Sequence, residues 1–314
     1  MIPLEQIRSA RERIAGRVVR TPLVRLALDS PATIYLKLEN LQPIGSFKLR
    51  GALNAIAQLP STELEAGVIT ASAGNMGQGV AWAARELGIP CAVVVPEGAA
   101  ETKLAAIERL GGRIVKVPYE RWWQAIVESS FAELDGVFVH PVYDDQVMAG
   151  NGTIGLEILE DLPQVDAVLI PFGGGGLSVG IASALKALRP EAQVYAIEPE
   201  TGAPLTASLA AGEPRKIDYE PSFVDGSGSP AVLPRMWELA HGLLDGAAAV
   251  PIAETAAAVR LLAERARVVA EGAGALSLAA ALAGHGGTGS VVCVVSGGNI
   301  DSSKLATILA GGTP

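Results

Sequence analysis

Short runs of β-branched and other apolar residues recur along the chain. Between them lie longer stretches in which Ala and Leu return every three or four positions. The runs Thr33–Leu38, Val68–Ala71, Cys91–Val95, Arg113–Val117, Ala167–Pro171, Val194–Ile197 and Val291–Ser296 predict strands. The stretches Gly77–Leu87, Ala100–Leu110, Tyr119–Leu134, Gly152–Leu159, Leu177–Leu188, Ala253–Ala270 and Ala275–Leu282 predict helices. Strand–helix alternation with glycine at the junctions predicts an α/β fold of open, mostly parallel sheets. The strands are apolar at consecutive positions, as expected of sheets covered by helices on both faces. No repeat at solenoid spacing is present. The Gly/Pro/Ser-rich segment Pro221–Pro234 reads as a loop too short to link domains. With 314 residues and no clean linker, the pattern predicts two domains that share chain segments around a cleft.

Composition narrows the partners. Hydrophobic residues make up 49% and charged residues 18%, enough apolar material for a large core. Aromatic residues are only 4%, so Ala, Val, Leu and Ile must build that core. A net charge of −9 without long Lys/Arg runs argues against nucleic acid and anionic membranes as partners. The start, MIPLEQIRSARERIAGRVVR, lacks the apolar centre of a signal peptide. The apolar run Ala273–Gly284 is too short to span a bilayer. Cys91 and Cys293 both sit in strand-like runs and read as buried thiols in a reducing compartment, so a cytoplasmic location is expected.

The chemistry starts at Gly45-Ser46-Phe47-Lys48-Leu49-Arg50-Gly51-Ala52. Lys48 falls in the first turn of a predicted helix, with Ser46 expected as its cap. The positive end of a helix is a poor place for an ammonium, and burial beside Phe47 and Leu49 adds to the pressure towards a neutral amine. Taken alone, a lysine is a surface residue. Ala167–Leu177 runs strand, then Gly173, Gly174, Gly175 and Gly176, then helix. Four glycines at a helix start let backbone N–H groups wrap an oxyanion, and a phosphate is the natural ligand. The two G-x-G-x-x-G strings, Gly150–Gly155 and Gly284–Gly289, lack the strand–loop–helix context of a dinucleotide site. No Walker A string is present. Ser72-Ala73-Gly74-Asn75-Met76 follows a strand and opens a helix, a junction suited to a carboxylate. Ser296-Gly297-Gly298-Asn299 closes the last strand, where open α/β sheets place ligands.

The strings SFKLRGA (46–52), SAGNMGQGVA (72–81), GNGTIGLEIL (150–159), GGGGL (173–177), IEP (197–199), EGAGALSLAA (271–280) and SGGNID (296–301) occur in one order across nearly the whole chain. Together they resemble the fold-type II pyridoxal-phosphate enzymes, in the branch of serine/threonine dehydratases and serine racemase. The resemblance implies a tryptophan-synthase-β-like fold. A small domain, residues 65–145, would be inserted into a large cofactor-binding domain, residues 1–64 and 146–314. Lys48 then looks like the Schiff-base lysine and Phe47 like the residue beside the cofactor ring. Asn75 matches the partner of the ring's phenolic oxygen, and Gly173 to Gly176 with Leu177 match the phosphate cup. Ser296 matches the residue facing the pyridine nitrogen, and Glu271 is carried over as a cofactor neighbour. Ser72, Ala73, Gly74, Asn75 and Met76 match the substrate-carboxylate loop. A homodimer acting on a small amino acid is implied.

A serine opposite the pyridine nitrogen has no acidic proton to give, which favours quick loss of a β-substituent. The expected activity is therefore β-elimination from serine, threonine or a related β-hydroxy amino acid, giving a 2-oxo acid and ammonia. The chain departs from the family at several points. Met76 stands where histidine is usual and makes the substrate wall more apolar, which could admit a bulkier substrate such as phenylserine. Asn151 replaces a glutamine. Ala73 stands where racemases carry a proton-transferring serine, which argues against racemisation. Glu198 and Gly202 match the start of the branch's cation site, but Pro204 replaces its aspartate, so a monovalent or divalent cation is only an option there. Asp225 lies in a loop expected near the substrate. A C-terminal regulatory domain with isoleucine feedback is not expected. Racemisation, β-replacement and a non-enzymatic amino-acid binder remain the alternatives.

Overall fold

The computed structural model describes every residue from Met1 to Pro314. Ten strands follow in chain order: β1 (Leu23–Arg25), β2 (Thr33–Leu38), β3 (Val68–Ala71), β4 (Cys91–Pro96), β5 (Arg113–Val117), β6 (Val137–Phe138), β7 (Ala167–Pro171), β8 (Gln193–Pro199), β9 (Gly246–Val250) and β10 (Ser290–Val295). They form two sheets, one of six strands ordered β1-β2-β10-β7-β8-β9 and one of four ordered β5-β4-β3-β6. Every neighbouring pair is parallel except β1 with β2. Alternate residues of β10 feed different cores. Val292 and Val294 join the apolar cluster on one face of the large sheet, and Val291, Cys293 and Val295 join the cluster on the other. Burial on both faces is why this strand has no polar position to alternate with. Cys91 and Cys293 are free and buried, and burial pushes both thiols up, Cys91 to about 12.

All seven predicted strands are present. β1 and β6 are too short to show a period, and the Gly-Ala-Ala-Ala-Val sequence of β9 carries little strand preference. The predicted helices are also present, with shifted ends. Helix Tyr119–Glu128 stops short of Leu134 because Ser129 turns left-handed (φ 53°). The Ala253–Ala270 stretch becomes helix Ile252–Leu261 and a π-turn, Leu262–Ala266, that Arg267 ends at φ 62°. Helix Asp145–Asp161 begins well before Gly152, because the Asp144 carboxylate accepts from the N–H groups of Gln146 (2.7 Å) and Val147 (3.2 Å).

That helix explains the Gly150–Gly155 string. A Cβ at Gly150 would meet the Arg50 carbonyl at 2.5 Å. One at Gly152 would meet the Gly180 carbonyl at 2.8 Å, and one at Gly155 the Ile181 carbonyl at 2.9 Å. The glycines let helix Asp145–Asp161 lie directly against helices Lys48–Ile56 and Gly176–Leu188, which start at the lysine and at the glycine loop.

A buried charge cluster fixes the lysine helix from behind. Arg50 Nε donates to Glu39 Oε2 (2.8 Å) and its Nη1 to Glu157 Oε1 (2.6 Å), while Lys37 Nζ donates to Glu157 Oε2 (2.5 Å). All four side chains are buried. Burial works against both charges of the Arg50–Glu39 pair. Mutual attraction prevails, so the Glu39 carboxyl is held below its usual range and the Arg50 guanidinium above its own. Arg50 thereby ties its helix to the turn that follows β2 and to helix Asp145–Asp161.

Candidate active site

A cavity of about 730 Å³ opens between the two sheets. Its walls come from the C-terminal ends of β3, β4, β7 and β10, the position where open α/β sheets bind ligands. Lys48, Phe47, Ser72, Ala73, Gly74, Asn75, Met76, Gly173, Gly174, Gly175, Gly176, Leu177, Glu271 and Ser296 all line it. These residues come from five separate stretches of sequence.

Lys48 is the first residue of helix Lys48–Ile56. Ser46 does not cap this helix. Phe47 occupies the cap position without a side-chain cap bond, and Ser46 Oγ only reaches the Lys48 N–H at 3.4 Å. Ser46 is instead committed to a bridge with Gly297, flanked by hydrogen bonds from Phe47 N to Ser296 O (3.0 Å) and Gly298 N to Gly45 O (2.9 Å). This pairing holds the lysine helix against the end of β10. Lys48 Nζ donates to the Pro141 carbonyl at 3.0 Å and lies 5.3 Å from the centre of the Phe47 ring. Burial pushes the amine down to about 8, against the opposing pull of Glu271. It can therefore shed its proton near neutral pH.

The glycine loop lines the same cavity as Lys48. No backbone N–H from Gly173 to Ser178 finds an acceptor within the chain. A Cβ would strike Val142 at 2.5 Å from Gly174, Met236 at 2.5 Å from Gly175, and the Val142 carbonyl from Gly176. Gly175 also has φ 93°. Only glycine fits this turn, and the turn aims unpaired donors and a helix N-terminus at one spot. That donor set fits a phosphate. Ser227 Oγ donates to the Phe172 carbonyl and fixes the Asp225–Ser227 loop beside it.

On the other side, the N–H groups of Asn75, Met76 and Gly77 are also without acceptors at the start of helix Asn75–Leu87, and Gly74 N is held by Ser72 Oγ (3.2 Å). Asn75 Nδ2 donates to Glu271 Oε1 at 2.8 Å, and Asn299 Nδ2 donates to Asn75 Oδ1 at 2.8 Å. Burial first, and then the charge of Asp225, push Glu271 up to about 7. The Ser296 carbonyl accepts from Phe47 N while the residue lines the cavity.

Glu198 and Gly202 do not line this cavity. The Glu198 carboxylate accepts from Leu205 N (3.0 Å), Thr206 N (2.7 Å) and Thr206 Oγ (2.7 Å), at the start of helix Pro204–Ala211. Gly202 lies against the Tyr219 ring. No cluster of three or more His, Cys, Asp or Glu side chains is arranged to hold a metal ion.

The structure adds residues that no motif marked. His140 is buried and accepts from Val142 N (3.0 Å) and Tyr143 N (3.1 Å) at Nδ1, with Nε2 against the Ile126 carbonyl (3.1 Å). This neutral ring shapes the turn that offers Pro141 O to Lys48 and Val142 to the glycine loop. A lone histidine in sequence carries no such signal. Asn299 lay inside a recognised string without a role. Lys103, Tyr119 and Trp122 complete the outer wall.

The chain belongs to the pyridoxal-phosphate-dependent enzymes: residues 14–297 match the family of that description. Its cofactor is pyridoxal phosphate, which the unpaired N–H groups of the glycine loop and the Lys48 amine fit. The chain is 41% identical over 315 residues to the L-threonine ammonia-lyase of Thermotoga maritima, covering 98% of this chain and 78% of that protein. It superposes with a TM-score of 0.89 on the processed form of threonine deaminase isoform 2 from Solanum lycopersicum, at 32% identity over 98% of this chain and 93% of that one. The serine racemase of Dictyostelium discoideum gives 0.87 at 33% identity, over 96% and 99%. No helix is long and apolar enough to cross a membrane.

Proposed function

We propose that this protein is an ammonia-lyase that converts a β-hydroxy amino acid of the threonine or serine type to a 2-oxo acid and ammonia. The water lost at elimination is regained at hydrolysis. The observation that carries the reading is the half-buried Lys48 amine, pushed down to about 8, in one cavity with the unpaired N–H groups of Gly173–Ser178. The names of the L-threonine ammonia-lyase and threonine deaminase reported above support it. Bound pyridoxal phosphate supplies the electron sink that makes the proton on the amino acid's Cα removable.

The chain's own residues do the rest. The Gly173–Ser178 N–H groups hold the phosphate at the positive end of helix Gly176–Leu188. Phe47 would pack beside the ring, Ser296 would offer its nitrogen a hydroxyl that has no acidic proton, and Asn75 would hydrogen-bond its phenolic oxygen. Glu271 is held near by Asn75. The Ser72 hydroxyl and the open N–H groups of Asn75 to Gly77 bind the substrate carboxylate. Lys48 Nζ takes the proton from Cα as general base. Ala73 has no proton to deliver to the opposite face of Cα, so the amino acid is not racemised.

The division into a small domain, residues 65–145, and a large one, residues 1–64 and 146–314, is part of this reading. Confinement of the four-stranded sheet to 68–138 supports it. So is a cytoplasmic homodimer: the free buried thiols suit a reducing compartment, and the family resemblance implies the assembly. The test is purified enzyme with threonine and serine, reading 2-oxo acid and the enantiomer of the residual substrate. Wild type should give 2-oxo acid without the opposite enantiomer, with a rate that rises as pH approaches about 8 from below. Lys48→Ala should give neither product nor the visible absorbance of the bound cofactor. Turnover by Lys48→Ala at the wild-type rate would sink the mechanism.

A further inference from the structure

The cavity wall includes residues that the ammonia-lyase reading leaves without a role. Ala99, Tyr119 and Trp122 line it together with Met76 of the substrate loop, and Tyr119 and Trp122 come from helix Tyr119–Glu128. Aromatic residues are 4% of the chain, yet Tyr119, Trp122 and Trp123 fall within one helical stretch here. The Tyr119 and Trp122 rings lie 5.5 Å apart at 45°, a tilted pair that holds the indole in place. Trp122 Nε1 is buried and has no hydrogen-bond partner, while the residue lines the cavity. Met76 is 2% exposed and brings a deformable thioether to the same wall.

Lys103 Nζ donates to Asp225 Oδ2 at 2.5 Å, and both residues line the cavity, as does Glu97. An acidic side chain on the substrate would meet two carboxylates and would have to displace Asp225 to reach Lys103. A neutral apolar group leaves the pair in place.

Resting on the ammonia-lyase reading, we infer that this part of the cavity wall is the side-chain subsite and that it selects β-hydroxy amino acids with a large, neutral, apolar β-substituent such as an aryl ring. Trp122 and Tyr119 are its specificity-determining residues, with Met76 completing the wall.

The test separates binding from chemistry. L-phenylalanine, L-alanine and L-aspartate have no β-hydroxyl to lose, so calorimetric titration of the cofactor-loaded enzyme reads the subsite alone. Phenylalanine should bind at least about tenfold more tightly than alanine, and aspartate no more tightly than alanine. Trp122→Ala should weaken phenylalanine by about tenfold and alanine far less. Tyr119→Ser, at a position 60% exposed and safe for folding, should shift the same ratio in the same direction. β-Phenylserine should then match or exceed threonine in kcat/KM. Equal binding of phenylalanine and alanine overturns the inference, as does a loss in both variants that is the same for each ligand. Tight phenylalanine binding without 2-oxo acid from threonine, serine or β-phenylserine leaves the subsite standing and removes the ammonia-lyase reading. Threonine turnover without any phenylalanine preference does the reverse.

Discussion

At the scale of single residues, the site holds two nitrogen bases whose charged forms burial disfavours. The proposed mechanism needs Lys48 neutral, and a depressed value near 8 eases loss of its proton close to neutral pH. His140 must be neutral to hold its turn, because Nδ1 accepts two backbone N–H groups and a proton there would break both bonds. Burial pushes its ring down to about 4 from 6.5, against the Ile126 carbonyl, with Lys48 and Arg235 adding repulsion. The unfolded chain therefore binds the extra proton first as pH falls. The stability from a neutral His140 is fully present above pH 6.5 and is lost as pH drops towards about 4. A shift of that size corresponds to about 3 kcal/mol. Urea unfolding at several pH values should show wild type losing stability across that window more steeply than His140→Gln, by up to about 1.4 kcal/mol per pH unit. Parallel pH profiles for the two proteins would show that His140 carries no such linkage.

At the scale of elements, helix Lys48–Ile56 presents its first residue to the cavity and its third to the buried charge cluster. Arg50 cannot be removed cheaply, because Glu39 and Glu157 would remain buried without their guanidinium partner. Arg50→Met should cost about 3–5 kcal/mol, read as a large drop in the thermal midpoint. Glu39→Gln added to Arg50→Met should recover part of that loss, since it removes one stranded charge. If the double variant were the less stable of the two, the cluster would be doing something other than balancing charge. The glycine-rich helices serve the same end by another route: carbonyl contacts at Gly150, Gly152 and Gly155 bring the lysine helix and the glycine-loop helix to one supporting element.

At the scale of the whole molecule, the cavity lies between two sheets, and side chains cross it. Lys103, from helix Glu101–Arg109 beside the small sheet, pairs with Asp225 on the loop beside the glycine turn. Thr102 Oγ1 also donates to Asp301 at 3.3 Å. Both partners of the ion pair are partly exposed, so it adds at most about 1 kcal/mol to stability. It links helix Glu101–Arg109 to the loop beside the glycine turn across the cavity wall. Lys103→Asp should raise KM several-fold, and the swapped pair Lys103→Asp with Asp225→Lys should return it towards wild type, each with little change in thermal midpoint. A swap that gave no recovery would mean that the two residues act independently.

Much of this was legible in the chain itself. Apolar runs that do not alternate specify strands buried on both faces, because each parity of side chain meets a core. Four glycines between strand and helix specify an anion cup, because no Cβ can be accommodated where donors must converge. The ordered strings brought Lys48, Asn75, Gly173–Leu177 and Ser296 to attention together, and all of them line one cavity. Helix starts were less legible: Ser46 looked like a cap, and a long-range bridge to Gly297 took it away. The short strands β1, β6 and β9 had no period to read.

Only the tertiary structure decided how Lys48 is held and what lies around it. His140, Pro141, Asn299, the Arg50 cluster and the Lys103–Asp225 pair act across separations of tens to hundreds of residues. Periodicity and motifs record what a residue does within its own element. Burial, hydrogen-bond partners and the wall of a cavity depend on which elements meet, and only the folded chain brings those together.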